Sequence, residues 1–317
     1  MRVLMLAASD VGGSEYYLAH ELRRRDLVDI RLAVLDVHRG ATFPADVSEI
    51  LDGGAELWAL IDQADVLHFV DLVPDQISIL GRSLGARLEA RGRTRTVVQF
   101  DGGLSVARQR LATQLARERG WALVSTRPGL AARWGAHFVP PFVPWWHAAW
   151  RPLVAGTRKR ESLRRPGIVF VSSLAAVHRN RVLENMLDRV EAHTGESLRL
   201  EVMTRMPHRN ILRRRRFSHL CLTASADGLG RSALESLCQG VSVIADLDRN
   251  LARCYAALAD GELPPVSASS CLEERIEAID PRGPTDPSLR KWATRVLAPQ
   301  RWFELCQALW RGESRAA

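Results

Sequence analysis

The feature that most constrains this chain is an alternation of two patterns. Short, nearly continuous apolar runs take turns with segments of helical period, first over residues 3–125 and again over 168–245. In the first stretch Val3–Ala7, Ile30–Val34, Ala64–Val70, Thr96–Phe100 and Trp121–Ser125 predict strands. Ser14–Arg25, Gln76–Arg91 and Leu104–Arg119 predict helices, and two shorter ones, Val47–Leu51 and Glu56–Gln63, flank Gly53-Gly54. In the second stretch Ile168–Val171, Leu198–Met203, His219–Thr223 and Val241–Ala245 predict strands. Arg181–Ala192, Met206–Arg216 and Arg231–Gln239 predict the helices between them, and Trp292–Arg311 a terminal helix. Strands that are apolar on consecutive positions must be covered on both faces, and helices between them supply the cover. The expected class is therefore α/β with parallel sheets built from βαβ units.

Between the two stretches the texture changes. Phe138–Pro152 reads FVPPFVPWWHAAWRP, with four prolines and three tryptophans. Proline removes a backbone donor and fixes φ, so this segment continues neither a helix nor a central strand. It reads as a linker between two Rossmann-like halves, and Trp145, Trp146 and Trp150 read as its packing or as a stacking platform. The 317 residues suffice for two domains. The expected division is 1–145, 146–290 and a terminal helical segment 291–317. No apolar run approaches the roughly 20 residues of a membrane span, which excludes an integral membrane segment. The N-terminus lacks the long apolar core of a secretory signal. The five cysteines form no CxxC pair and no zinc spacing, so a reducing, cytoplasmic setting is expected.

The charge is uneven. The chain carries 44 Lys and Arg against 36 Asp and Glu, net +8. Only Lys159 and Lys291 are lysines. Residues 1–152 are net +1 and residues 153–317 net +7. Two arginine-rich clusters stand out, 158–165 and 205–216, the latter containing the run Arg213–Arg216. Each reads either as a solvated face or as a surface for a polyanion, nucleic acid or an anionic membrane.

The chemistry concentrates in Ser225–Asp246, SADGLGRSALESLCQGVSVIAD. A strand ends near Ala224. Asp227 and the loop Gly228-Leu229-Gly230 follow, and a helix opens at Arg231. Glycines ahead of a helix N-terminus aim backbone N–H groups at an anion, and the helix dipole adds to the attraction. Glu235 lies one turn inside that helix. A phosphate-bearing anion is the ligand chemistry this segment suits.

This segment resembles the donor-binding signature of the GT-B-fold retaining glycosyltransferases of the glycogen-synthase and sucrose-synthase-like family. The resemblance implies two Rossmann-like domains facing a cleft and a C-terminal helix that crosses back to the N-domain. Residues 1–145 would be the acceptor side and 146–290 the donor side. It implies that Asp227 contacts donor-sugar hydroxyls, that Gly228, Leu229 and Gly230 contact sugar and diphosphate, and that Glu235 holds the ribose. Weaker resemblances run along the chain. Gly12-Gly13 matches the family's glycine loop, RPGIVFVSSLAAVHRN its first donor-domain strand, and APQRWFELCQALWRG its terminal helix. The implied activity is transfer from a nucleotide-diphosphate-sugar, retaining, with no cofactor and no metal, to an unidentified acceptor. Asp101 and Asp227 are the candidate catalytic carboxylates.

The departures are specific. The first acid is Asp227 rather than Glu. The family's diphosphate-binding Arg falls on Ser173, and its Lys on His178 or Arg179, leaving Arg179 alone, or another Arg entering the site, to bind the diphosphate. The family's His before Asp101 is Phe100. Asp246-Leu247-Asp248 matches a metal-binding triplet of another glycosyltransferase fold, but it follows a complete GT-B-like segment and reads as chance. Two further readings stand beside ordinary transfer. One is a glycosyltransferase acting on a nucleic-acid base. The other is a GT-B-like protein that binds without transferring.

Overall fold

The computed structural model of the chain describes residues 1–8, 13–25, 28–35, 50–91, 95–101, 103–152, 167–171, 181–192, 198–202, 207–223, 226–279 and 286–313. The chain divides into two units, Met1–Phe142 with Pro299–Ala317, and Val143–Ala298.

Unit 1 is built on strands β1 (Arg2–Ala7), β2 (Asp29–Val34), β3 (Val66–Val70), β4 (Ser78–Ile79), β5 (Arg82–Ser83), β6 (Arg95–Phe100), β7 (Ala122–Ser125) and β8 (His137–Phe138). Six of them form a sheet in the order β2-β1-β3-β6-β7-β8, every pair parallel. Its helices are α1 (Ser14–Arg24), α2 (Ile50–Gln63), α3 (Leu84–Arg91), α4 (Val106–Arg119) and α5 (Pro128–Trp134). The inner strands are buried along nearly their whole length, as their unbroken apolar runs require. Leu57 and Ile61 of α2 pack with Leu4, Leu6, Leu67 and Phe69. Ala112 and Ala116 of α4 pack with Val98 and Phe100.

Two expectations are corrected in this unit, and one stretch holds elements that the sequence pattern does not predict. Helix α2 runs through Gly53-Gly54 instead of stopping there. Gly54 lies on the same buried stripe as Leu57 and Ile61, and a Cβ on it would stand 2.6 Å from Leu80 Cγ. The glycine serves close packing; burial of the stripe outweighs its propensity cost of about 1 kcal/mol. The helix read over Gln76–Arg91 is instead a 3₁₀ turn at Pro74–Gln76, the antiparallel hairpin β4–β5, and only then α3. Leu80 and Gly81 both have positive φ, 50° and 73°, as a tight primed hairpin turn demands. Helix α5 and strand β8 occupy a stretch between the last predicted strand and the linker, where the pattern predicts no element. Pro128 stands at the start of α5, and Gly135, at φ 65°, closes it by donating to the Ala131 carbonyl.

Unit 2 contains β9 (Gly167–Val171), β10 (Leu198–Val202), β11 (Leu220–Leu222), β12 (Ser242–Ile244) and β13 (Val266–Ser267), parallel in the order β10-β9-β11-β12-β13. Helices α6 (Arg181–Ala192), α7 (His208–Arg215), α8 (Arg231–Cys238), α9 (Arg249–Ala256), α10 (Leu272–Glu277) and α11 (Pro287–Val296) connect and cover them. Met186, Val190, Leu220, Leu222, Ile244 and Leu272 form a shared core. The acids of Asp246-Leu247-Asp248 are engaged locally. Asp248 caps α9 by accepting from the Asn250 and Leu251 amides, and Asp246 accepts from the Ser269 amide and hydroxyl.

The helical pattern read over Trp292–Arg311 is two helices, α11 and α12 (Pro299–Arg311). Pro299 lacks the amide that would continue α11, and it begins α12 at a position proline favours. Helix α12 belongs to unit 1. Trp302 donates to the Pro140 carbonyl at 2.9 Å and packs edge-on against Phe142. Among the described residues no helix is long and apolar enough to cross a membrane.

His68 sits in the middle of β3 and is fully buried. Burial pushes its imidazole down to about 4, against a smaller opposing effect of its hydrogen bond with Gln99. The unfolded chain therefore takes up a proton near pH 6.5 that the folded unit refuses. The stability His68 contributes is complete above pH 6.5 and is lost as pH falls toward 4, in full about 3 kcal/mol. Urea unfolding monitored across this range should show that slope, and His68→Gln should flatten it. An unchanged slope in the variant would contradict the assignment.

Candidate functional site

The loop after β11 carries the candidate donor residues. Asp227 is half-buried in a turn. Gly228 has φ 111°, a conformation closed to most side chains. Leu229 turns its side chain fully into the core, and its carbonyl accepts from Tyr255 Oη at 2.9 Å. Gly230 caps α8 without contributing a side chain. The loop is held from below by Leu229 and Tyr255, and α8, which has no side-chain cap, sets the positive end of its dipole beside it. Asp227, Gly228, Leu229 and Gly230 thus stand together at the C-terminal end of a parallel strand, where open α/β sheets bind ligands.

Glu235 is placed differently from a surface ligand. It is 2% exposed. Arg215 Nη2 donates to Oε2, Arg231 Nε donates to Oε1 at 2.9 Å, and Trp150 Nε1 donates to Oε1 at 3.2 Å. His208 Nε2 lies 3.0 Å from Oε1 and 3.3 Å from Oε2. A carboxylate offers about four acceptor positions, so the protein itself can fill them. Burial by itself would raise the Glu235 carboxyl; the electrostatic pull of His208, Arg215 and Arg231 outweighs it and holds the group well below the usual carboxylate range. Arg215 is itself fully buried, donating through Nε to Gln239 Oε1 and through Nη1 to the Ser232 carbonyl and hydroxyl.

The same cluster fastens the Pro/Trp segment to unit 2. Gln239 donates to the carbonyls of Ala149 and Leu212. Arg290 of α11 donates to the carbonyls of Trp145, Trp150 and Cys238 and stacks over the Trp145 ring at 5.7 Å. Trp150 is 1% exposed. Among the described residues, Trp150, His208, Arg215, Arg231 and Arg290 organise this region, and the motif singles out none of them. Trp150 came closest to being legible, as a tryptophan in a proline-rich linker.

In unit 1, Gly13 stands at φ 71° just before α1, after the C-terminal end of β1. Asp71 and Asp101 follow β3 and β6, so these positions share one end of three adjacent strands. Asp101 is half-buried and accepts from Gln99 Nε2 at 2.9 Å. Its amide donates to Asp71 Oδ1, and the Gly103 amide donates to Asp71 Oδ2, both at 2.9 Å. Asp71 has φ 51°, and a Cβ on Gly103 would stand 2.6 Å from its Oδ2. Sequence reasoning missed Asp71; the signal was an acid directly after a buried strand. Phe100, in the place of the family's His, is a fully buried core residue.

Gly12, Ser173, His178 and Arg179 lie outside the described residues, as do the 158–165 cluster and Arg205. In the run 213–216, Arg213 and Arg214 are exposed, with Arg209 beside them on α7. Arg215 faces the interior and Arg216 is half-buried, so the run is not a single surface patch.

No family model matches the chain, and no curated protein does. Solved structures do. A glycosyltransferase from Rickettsia africae superposes with a TM-score of 0.60 at 9% identity over 98% of each chain. The Anabaena protein HepE, in complex with UDP-glucose, gives 0.61 at 13% identity over 97% of this chain and 100% of its own. An alpha-glucosyltransferase in complex with UDP-glucose and DNA containing an abasic site gives 0.54 at 10% identity over 97% of each chain. At these identities the likeness is one of fold. The chain has an α/β fold of GT-B type, with two Rossmann-like units of parallel sheet.

Removing Glu235 leaves Arg215 buried without its counter-charge. Glu235→Ala should destabilise the protein by about 3–5 kcal/mol in chemical denaturation. The carboxylate's contribution should be complete above about pH 4.3 and disappear as pH falls through its depressed folded value. A loss below about 1 kcal/mol would mean the cluster is not a structural hub.

Proposed function

We propose that this chain is a glycosyltransferase that moves a sugar from a nucleotide-diphosphate-sugar to an acceptor hydroxyl or base, with retention and without a metal. The observation that carries this reading is the Asp227–Gly230 loop, braced by Tyr255 and leading into the uncapped start of α8. That arrangement suits a diphosphate on the amides and a sugar hydroxyl on Asp227. In this reading unit 2 carries the donor, and Asp101 in unit 1 receives a hydrogen bond from the acceptor. The bond from the sugar's anomeric carbon to the diphosphate oxygen breaks. A bond to the acceptor forms on the same face, and the acceptor's proton passes to the departing diphosphate. Amides and dipole at the helix start stabilise the charge that develops there. By resemblance alone, Gly12, Gly13, Ser173 and Arg179 are assigned to the donor. Glu235 secures the start of α8 through Arg231, and a ribose diol reaches its carboxylate only by replacing one of its present donors. The nucleotide sugar is a co-substrate, and the reading includes no bound cofactor.

Two observations bear on the alternatives. Phe100, a core residue in the place of the family's His, favours a second reading, a GT-B-like protein that binds a nucleotide or partner without transfer. The exposed Arg209, Arg213 and Arg214 make nucleic acid the first polyanionic acceptor to test.

A panel of nucleotide sugars, screened by thermal shift and then calorimetry, tests the reading. A donor at a hundred times its Kd should add about 2.7 kcal/mol to stability. Asp227→Ala should lose about 1.5–3 kcal/mol of binding, roughly tenfold to a hundredfold in Kd. Transfer or donor hydrolysis that disappears in Asp227→Ala would eliminate the binding-only reading. Binding with no turnover on any acceptor would establish it, and no binding across the panel would sink both.

A further inference from the structure

Unit 1 contains a buried polar chain that donor binding does not use. The buried positions of β1 and β3 are apolar with one exception, His68. Trp310 Nε1 of α12 lies 3.4 Å from His68 Nδ1, with the rings edge-on. His68 Nε2 lies 3.0 Å from Gln99 Oε1 on the neighbouring strand β6. Gln99 Nε2 lies 2.9 Å from Asp101 Oδ1. His68 is fully buried and Gln99 is 4% exposed.

The hydrogen-bond roles in this chain are determined from one end. An indole N–H only donates, so His68 Nδ1 must accept and the imidazole proton sits on Nε2. That N–H requires an oxygen, so the Gln99 carbonyl faces His68. The Gln99 amino group then faces Asp101 and donates to its carboxylate. Any reversal sets two donors or two acceptors against each other. Three donations therefore run in one direction, from the closing helix across two central strands to the loop after β6. On the other side of that loop, the two carboxylate oxygens of Asp71 hold the Asp101 and Gly103 amides.

Burying an imidazole and an amide costs free energy that an apolar pair would not. The arrangement's specific product is the orientation of one carboxylate. We infer that Gln99 and His68 are positioning residues for Asp101, that Trp310 and the Gln99–Asp101 pair hold His68 in one tautomer from its two sides, and that Asp71 sets the loop backbone. The inference rests on the reading of Asp101 as the acceptor-side carboxylate.

Two measurements on the full chain test it. Long-range proton–nitrogen correlation spectra report histidine tautomers without any need for activity. His68 should show the proton on Nε2 and an unprotonated Nδ1 at neutral pH. Because Asp101 only accepts and so orients Gln99 from the other end, Trp310→Phe alone should keep that tautomer, and only the double variant Trp310→Phe/Gln99→Met should give way to a mixture. Kinetically, Gln99→Met should lower kcat about tenfold to a hundredfold, as a misplaced group does, with the KM for the nucleotide sugar and its calorimetric Kd unchanged. Trp310→Phe should shift kcat in the same direction by less. A proton on Nδ1 in the native protein would overturn the chain of donations. Native kcat in a folded Gln99→Met would overturn the positioning role. A native protein that has the Nε2 tautomer but turns over no donor would instead refute the functional reading, leaving the hydrogen-bond chain standing as structure.

Discussion

A carboxylate taken out of water keeps its charge only if the protein replaces the water around it, and much of unit 2 is arranged around that requirement at Glu235. The idealised cost of such a transfer is on the order of 20 kcal/mol, and the effective penalty is still several. Here it is met by two guanidinium groups, an imidazole and an indole. The four donors come from three places: Arg215 and His208 from α7, Arg231 from the start of α8, Trp150 from the Pro/Trp segment. Satisfying one charge therefore fixes three elements against each other. Gln239 and Arg290 extend the same set of bonds to the carbonyls of the segment. The Asp227–Gly230 loop ahead of α8 inherits its position from this cluster.

The basic excess of the second half is partly explained by the same geometry. Arg215 and Arg290 are spent on carboxylate and carbonyl groups inside unit 2. Arg231 bonds Glu235, and Arg189 and Arg295 pair with Glu273 and Glu262. A planar guanidinium can serve several acceptors at once, which an ammonium does less well. Among the described residues of the second half, Arg209, Arg213 and Arg214 on α7 stay exposed, as do Arg249, Arg253 and Arg275.

Much of the fold was legible because parallel strands buried on both faces leave an unmistakable apolar run. All nine strands read from such runs are present, with ends shifted by a residue or two. The misreadings arise where a local signal had two meanings. Gly54 looks like a helix stop and is a packing contact with Leu80. Ile77 and Ile79 alternate with polar residues, a strand cue that the longer helical pattern around them obscured. Pro128 and Pro299 begin helices in stretches where proline reads as interruption. Segment 246–290 offered no long apolar run, and its elements are correspondingly short.

The candidate site divides along the same line. Sequence by itself determined the α/β class, the strand-loop-helix at Asp227–Cys238 and the candidate status of Asp101, because these depend on residues close together in the chain. Tertiary structure alone decided the partners. Glu235 meets Trp150 across 85 residues and His208 across 27, and Trp310 reaches His68 across 242. Whether a carboxylate faces water or a guanidinium is a question of what the fold brings beside it. No local pattern encodes that, because desolvation and pairing are properties of the packed interior.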